Sequence, residues 1–130
     1  FFRLAAKHLT PRGILVTQAT SPFYATDAYW CIFNTLVATT LTGELGRLHV
    51  VGYHVNVPSF GEWGFAMASP QPLHPEHSAL RVPTRFLTPE LLPTLFVFAK
   101  DIAHRDTPIN RLGNQILVKL YESGYRRYNR

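Results

Sequence analysis

A short, nearly continuous apolar run at residues 14–19 constrains the fold of this chain more than any other feature. The run reads ILVTQA and stands between the turn residues Pro11–Gly13 and the loop Thr20–Pro22. Runs of this length are typical of a strand covered on both faces, as in parallel sheets that lie between helices. We therefore expect one buried strand around which the other segments are arranged.

Helical patterns lie on both sides of this run. We expect a helix over residues 1–9 and a second over residues 26–38, whose apolar positions form a broad face. Thr26 or Ser21 is a candidate N-cap for the second helix, and Asp27 falls in its first turn, where the helix dipole favours an acid.

Two strand-like segments follow the connection Thr39–Gly46. They span residues 48–57 and 62–68, and the four residues Pro58–Gly61 between them favour an antiparallel hairpin. An irregular loop, residues 69–83, comes next.

The end of the chain has weaker patterns. The residues Thr88-Pro89-Glu90 indicate a helix start, and we expect that helix to run to about Phe98 with Pro93 inside it. Residues 114–123 fit a final helix or strand that Gly124 would stop.

The predicted order is helix, strand, helix, strand, strand, then helical appendages, which is an α/β fold. A parallel βαβ unit followed by an antiparallel hairpin is how a Rossmann-like, methyltransferase-type sheet finishes, with the last strand inserted antiparallel beside the first. The pattern therefore predicts the C-terminal half of such a sheet.

Composition excludes several classes of protein. Hydrophobic residues make up 46% of the 130 residues, enough for a core, and the net charge is +5. The single cysteine, Cys31, excludes an internal disulfide framework. No apolar run reaches the roughly 18 residues of a spanning helix. Because the chain starts with Phe1 and its one methionine is Met67, we expect a processed chain or a piece of a longer one.

Gln18 is a candidate ligand contact because it is polar and lies near the carboxyl end of the buried strand. Ligands bind at that edge in open α/β sheets. The alternative is a glutamine that caps its own loop.

The hairpin segment Val57–Phe65, VPSFGEWGF, combines two glycines, three aromatic residues and one acid. Phe60 and Trp63 with the carboxylate of Glu62 could form a pocket wall that holds a cation by charge and by aromatic faces. Alternatively, the aromatic rings simply cover the sheet.

Other groups of residues do not indicate a catalytic, metal or nucleic-acid site. His74 and His77 have too few neighbouring ligands for a metal site, and Cys31 fits an inert buried thiol. No glycine-rich nucleotide motif occurs. Basic residues near the end, together with three tyrosines, fit a solvated terminus better than a nucleic-acid surface. They are Arg126, Arg127 and Arg130 with Tyr121, Tyr125 and Tyr128.

Three segments resemble the polyamine aminopropyltransferases, the spermidine synthase family. Gly13–Pro22 is similar to the family's strand and loop DGI-x-V-x-Q-x-x-x-P, and Val57–Phe65 to its hairpin IP-T-Y-P-S-G-x-W-x-F. Arg85–Leu91 is similar to its Y-Y-T-P-E-L. The sequence of residues 53–63, YHVNVPSFGEW, resembles most the long bacterial members of the family. Those members carry a membrane-spanning segment ahead of a cytosolic synthase domain.

The resemblance implies transfer of an aminopropyl group from decarboxylated S-adenosylmethionine, a co-substrate, to a diamine such as putrescine, giving spermidine. It implies no metal and no tightly bound cofactor. Gln18 and Phe60 match residues that line the family's amine site, although the family's tyrosine hydroxyl is absent at Phe60. With Glu62 and Trp63 they are the predicted binding residues. The family's catalytic Asp and nucleotide loop lie upstream, and neither Asp27 nor Glu62 matches that Asp.

The implied partners are a diamine and the N-terminal remainder of the same protein with its membrane-spanning segment; no nucleic acid is expected. We also expect a homodimer, because a sheet cut before Ile14 leaves an apolar strand edge unpaired. The implied location is the cytoplasm, as a domain of an inner-membrane-anchored protein. We expect residues 1–100 to form the C-terminal half of the catalytic domain and 101–130 a helical tail. The isolated chain should be inactive. The alternatives are a non-catalytic methyltransferase-like binding or assembly module and a small-amine binder.

Overall fold

The computed structural model describes residues 1–41 and 46–128. Seven helices and strands are formed in this part of the chain, with two single turns of 3₁₀-helix at Pro75–His77 and Lys100–Ile102. In chain order they are α1 (Phe2–Lys7), β1 (Leu15–Gln18), α2 (Thr26–Val37), β2 (His49–Val57), β3 (Gly61–Ser69), α3 (Leu91–Thr94) and α4 (Ile116–Arg126).

The three strands form one sheet in the order β1-β3-β2. β3 is antiparallel to both neighbours, with Gln18 opposite Phe65 on one side and Tyr53 opposite Phe65 on the other. The predicted hairpin and the insertion of the last strand beside the first are therefore confirmed. The expectation that the first strand is covered on both faces is wrong for the described residues, because β1 lies at the edge of the sheet and its residues alternate between partly buried and exposed. β1 and β2 point the same way, as a βαβ unit requires, but β3 separates them.

Tyr29 of α2 holds the helix on the sheet. Its side chain is fully buried, and its ring lies where Cβ atoms would stand at Gly52 of β2 and Gly64 of β3. The phenol donates a hydrogen bond of 3.0 Å to the carbonyl oxygen of Phe65. Two glycines at diagonal positions on neighbouring strands, with Gly52 opposite Ala66 and Gly64 opposite His54, thus create the depression that accepts one aromatic ring.

The segment at residues 99–115 runs along α2 and is held there by side-chain hydrogen bonds. Trp30 donates through Nε1 to the carbonyl of Ile102 at 3.0 Å. Asn34 donates to the carbonyl of Arg105 at 2.9 Å, and Thr35 Oγ1 accepts the backbone N–H of Asn110 at 2.9 Å. These bonds place the start of α4 against α2. The domain boundary near residue 100 stays a prediction.

The expected helix from Thr88 to Phe98 is wrong in extent, because α3 covers only Leu91–Thr94. Pro93 has no N–H to continue the helical ladder. Beyond Thr94 the chain turns to the edge of β2, where the carbonyl of Leu95 accepts the backbone N–H of His54 at 3.0 Å.

The last segment, expected to be a helix or a strand, is the helix α4. Gly124 does not stop it, because α4 continues to Arg126. A Cβ at Gly124 would lie 2.7 Å from the Cα of Ala25 and from the carbonyl oxygen of Tyr24. The glycine therefore serves the close approach of α4 to the start of α2.

The expected side-chain caps of α2 are also wrong. Ala25 is the N-cap, and no side chain caps it. Ser21 instead accepts the backbone N–H groups of Phe23 and Tyr24, each at 3.2 Å, and Thr26 donates to the carbonyl of Pro22 at 2.7 Å. Both hydroxyls are engaged in the turn that precedes the helix.

Two further expectations reach beyond the described residues. The predicted connection Thr39–Gly46 includes residues 42–45, and the basic terminus includes Arg130; both lie outside them. Within residues 1–41 and 46–128, no helix has the length and apolar character needed to cross a membrane.

Because the Tyr29 ring fills the depression, we expect alanine substitutions at two glycines to differ in their effect on the stability of the protein. Gly64→Ala should lower the free energy of unfolding by about 1–3 kcal/mol, because the new methyl group overlaps the Tyr29 ring and lies 2.8 Å from the Thr20 carbonyl oxygen. Gly113→Ala is the matched control, since no atom lies within 4 Å of the position that its Cβ would take, and it should change stability by less than about 0.5 kcal/mol. Urea unfolding measures both, and equal values would contradict this packing.

Candidate functional site

One edge of the sheet gathers the end of β1, the end of β2 and the start of β3. The chain leaves β1 at Ala19, whose N–H donates to the carbonyl of Gly64 at 2.9 Å, while the N–H of Gly64 donates to the carbonyl of Thr20 at 2.7 Å. These bonds extend the β1–β3 pairing past Gln18. They bring the loop after β1 beside the hairpin turn.

Two residues at this edge have left-handed backbone conformations. Thr20 has φ 62° and Ser59 has φ 76°. Positive φ is unfavourable for any residue with a Cβ, and more so for a β-branched one. Such residues persist where surrounding contacts hold them and are concentrated at functional sites. The Thr20 hydroxyl is also buried without a hydrogen-bond partner among the described residues.

Three of the predicted binding residues lie on the same side of this edge. Gln18 is opposite Phe65 in the register, and Trp63 lies two positions before Phe65 on β3, so Gln18 and Trp63 share a face of the sheet. The Phe60 ring packs against Trp63 with centroids 5.4 Å apart, and Phe60 is 63% exposed. The structure thus brings Gln18, Phe60 and Trp63 to one face.

Glu62 lies on the opposite face, because it alternates with Trp63 along β3. Its carboxylate oxygen Oε1 contacts Nδ1 of His54, and its side chain is 32% exposed. The other ring nitrogen of His54, Nε2, lies 2.7 Å from the carbonyl oxygen of Val97. The predicted cation-binding carboxylate is therefore already paired with a histidine.

His54 was missed by reasoning from the sequence. It lies in β2 between Tyr53 and Val55, and a histidine at such a position carries no motif. The register offers one signal: His54 is opposite Gly64 and therefore diagonal to Glu62 on the same face. On adjacent antiparallel strands, a histidine and an acid at such diagonal positions can form a pair.

A cluster of aromatic rings, formed by Phe23, Tyr24, Tyr125 and Tyr128, packs α4 against the loop after β1. Tyr24 stacks on Tyr125 with centroids 5.8 Å apart and meets Tyr128 edge-on at 5.0 Å. The expectation of a solvated terminus therefore fits Arg126 and Arg127, which are exposed, and is wrong for Tyr125.

An apolar groove of about 530 Å³ runs beside β1. Gln18 is one of its lining residues, whereas Phe60, Glu62 and Trp63 are not. The groove is otherwise lined chiefly by α1, α2 and the start of α4, including Phe2, Ile32 and Leu117. Gln18 thus borders both the strand-end edge and this groove.

The remaining candidate groups have ordinary surroundings. Cys31 is buried, and burial raises the pKa of its thiol, so it is a poor nucleophile. Glu76 lies 3.6 Å from His74 and 3.5 Å from His77. No group of three His, Cys, Asp or Glu side chains able to hold a metal is found in the part of the chain that the structure describes.

Comparison with known proteins identifies relatives over nearly the whole chain. It is 39% identical over 98% of its length to a polyamine aminopropyltransferase of Oceanobacillus iheyensis and 41% identical over 96% to polyamine aminopropyltransferase 2 of Ralstonia nicotianae. It is 35% identical over 96% to a polyamine aminopropyltransferase of Mycobacterium tuberculosis. No family model matches the chain.

The chain spans only about a quarter of the length of these relatives, 24% of the first and 23% of the other two. The matched region nevertheless contains the strand, the hairpin and the loops that form the strand-end edge. Several curated proteins with the same name match it at 32–41% identity. The chain therefore belongs to the polyamine aminopropyltransferase family. It corresponds to about one quarter of the length of these relatives.

Proposed function

We propose that this chain is the C-terminal part of a polyamine aminopropyltransferase that transfers the aminopropyl group of decarboxylated S-adenosylmethionine to a diamine such as putrescine. The observation that carries the proposal is the similarity of 96–98% of the chain to proteins of that name. The gathering of Gln18, Phe60 and Trp63 at the strand-end edge supports it.

The reaction needs positioning and one base. The lone pair of the amine attacks the propyl carbon bonded to the sulfonium; the C–N bond forms and the C–S bond breaks, and its electron pair stays on sulfur, leaving methylthioadenosine. The new ammonium group then gives its proton to a carboxylate. Holding the amine in line with the C–S bond supplies much of the rate.

The residues of this chain contribute the amine-binding side of that arrangement. Gln18 offers an amide oxygen to an ammonium group, while Phe60 and Trp63 offer aromatic faces. Phe60 has no hydroxyl to donate or accept, so binding at this position depends on its ring alone. The base and the nucleotide-binding residues would come from the rest of the protein, and the isolated chain would be inactive.

Gln18→Ala should weaken use of the amine without changing the chemical step. Loss of a hydrogen bond to a charged group costs about 1.5–3 kcal/mol, so the KM for putrescine should rise about 10- to 100-fold while kcat changes little. Steady-state formation of spermidine by the intact protein measures both constants.

Gln71→Ala is the control, because Gln71 is exposed beyond the far end of β3. It should leave both constants unchanged. An unchanged KM in Gln18→Ala would contradict the proposed amine site. No spermidine from the intact protein, or spermidine from the 130-residue chain alone, would contradict the proposed division of the enzyme. Binding of putrescine but not of methylthioadenosine by the intact protein would favour a simple amine binder.

We further propose that β1 is an interior strand of a larger Rossmann-like sheet in the intact protein. Ile14 and Val16 are 54% and 49% exposed, and β1 pairs with β3 along one edge while no described strand pairs with its other edge. The apolar groove beside it offers room for further structure. The relatives, roughly four times as long as this chain, have enough additional residues to cover both.

Similarity also supports a longer context. The sequence of residues 53–63 resembles that of the long bacterial members of the family. On that basis we propose an upstream segment that anchors a cytoplasmic catalytic domain to the inner membrane. Residues 1–100 would then complete the catalytic domain, and residues 101–130 would form its tail.

In the isolated chain, the open edge of β1 should pair with a second copy. Exposed strand edges with apolar side chains associate readily, so light scattering at high concentration should give a dimer. Val16→Lys should restore the monomer, because a charge would lie at the pairing edge. Val82→Lys, at a position 68% exposed in a loop, should leave the dimer intact. A monomeric unmodified chain would contradict edge pairing.

A further inference from the structure

Thr20 combines two unfavourable features at the strand-end edge. Its backbone has φ 62°, in the left-handed region, which is least favourable for a residue with two heavy atoms on Cβ. Its hydroxyl is buried and has no hydrogen-bond partner among the described residues, although buried polar groups nearly always have one. Neither feature stabilises the fold. Local conflicts of this kind are expected where a residue serves function.

The left-handed conformation is held from both sides of Thr20. On one side, the fully buried Ala19 donates its N–H to the carbonyl of Gly64 at 2.9 Å, and the carbonyl of Thr20 accepts the N–H of Gly64 at 2.7 Å. On the other side, the fully buried Ser21 accepts two backbone N–H groups of the turn that follows, each at 3.2 Å. Thr20 is therefore fixed between two buried neighbours.

The same contacts connect Thr20 to the proposed amine-binding residues. Thr20 follows Gln18 by two positions, and Gly64 is next to Trp63. The ladder between β1 and β3 ends at the pair of Gln18 and Phe65, so the bonds to Gly64 are the contacts that continue it toward Trp63. A Cβ at Gly64 would lie 2.8 Å from the Thr20 carbonyl oxygen. A glycine at this position thus permits the close approach of the loop.

The other non-glycine residues with positive φ have simpler explanations. Ser59, with φ 76°, lies in the hairpin turn between β2 and β3, where the chain must reverse. Gln115, with φ 48°, is exposed and precedes the first turn of α4. Among the described residues, a buried side-chain oxygen without a hydrogen-bond partner occurs at Thr20 alone. The two unfavourable features therefore coincide at one residue of the site.

We propose that Thr20 is a positioning residue for the amine site, whose stiff backbone holds Gln18 in register with Trp63. This inference rests on the proposed function, because it assigns the diamine to the face that those two side chains share. Glycine adopts the same φ without strain, but it also populates many other conformations and would let the loop move. The β-branched side chain of threonine narrows that range. Strained residues persist at ligand-binding sites for this reason.

Thr20→Gly separates positioning from stability, because the two should change in opposite directions. Loss of the strain and of the buried hydroxyl should raise the melting temperature of the intact protein. The KM for putrescine should nevertheless rise about 10-fold, with little change in kcat, because Gln18 is no longer held in register. Thermal unfolding and steady-state formation of spermidine by the same preparations measure both effects.

Two further variants identify what Thr20 contributes. Thr20→Val keeps the β-branched shape and removes only the hydroxyl, so it should leave the KM unchanged. Gln115→Gly is the matched control, because it relieves a positive φ at an exposed residue that precedes α4. It should raise the melting temperature without changing the KM.

A double variant tests whether Thr20 acts through Gln18. In a protein that already carries Gln18→Ala, the additional change Thr20→Gly should raise the KM by less than about twofold, because two residues that act as a unit have non-additive effects. Full additivity of the two changes would exclude action through Gln18.

An unchanged KM in Thr20→Gly would overturn the proposal and leave the proposed function intact. A Thr20→Gly variant that is less stable than the unmodified protein, or unfolded, would also overturn it, since Thr20 would then only support the fold. A raised KM in Thr20→Val would assign the effect to the hydroxyl and contradict positioning by the backbone. Absence of spermidine formation by the unmodified intact protein would overturn the proposed function and this inference together.

Discussion

The packing of the Tyr29 ring onto two glycines determines how the rest of the structure is arranged. Because Gly52 of β2 and Gly64 of β3 are diagonal to each other on the same face, the ring lies directly on the backbone and α2 approaches the sheet closely. The phenol bond to the Phe65 carbonyl fixes the position of the helix along the strands. Interiors packed at this density tolerate little displacement, so the loop between β1 and α2 is fixed as well.

That loop and the hairpin turn form the site. Gly64 is central to both, since its face accepts Tyr29 while its N–H and carbonyl hold Thr20 and Ala19 beside β3. Its position next to Trp63 and two residues from Glu62 links the packing of α2 to the placement of the binding residues. Their orientation to opposite faces follows from the alternation of β3, with Trp63 toward Gln18 and Glu62 toward His54.

Local patterns were sufficient to predict much of this arrangement. The apolar run of β1, the periodicity of α2 and the short turn Pro58–Gly61 specify their elements without help from distant residues. The placement of β3 beside β1 was also predicted, because a βαβ unit followed by a hairpin has few topologies. Gln18, Phe60 and Trp63 were selected by residue type and position, and the structure places them on one face; their roles stay predictions.

The remaining features depend on contacts between residues far apart in the sequence. Trp30 donates to the carbonyl of a residue 72 positions later, and no periodicity indicates such a bond. The last helix shows the same limit. A glycine there is typical of a helix stop, but Gly124 lies inside α4 and allows the close approach of α4 to Ala25. His54 was overlooked because its partners, Glu62 and the Val97 carbonyl, come from separate segments.

The most direct test of the central claim is an experimental structure of the intact protein with putrescine and methylthioadenosine bound. Our account predicts an amine nitrogen within about 3 Å of the Gln18 amide oxygen, with Trp63 against the diamine chain and a further strand paired to the open edge of β1. A diamine bound away from the strand-end edge, or a β1 that remains at the edge of its sheet, would contradict it.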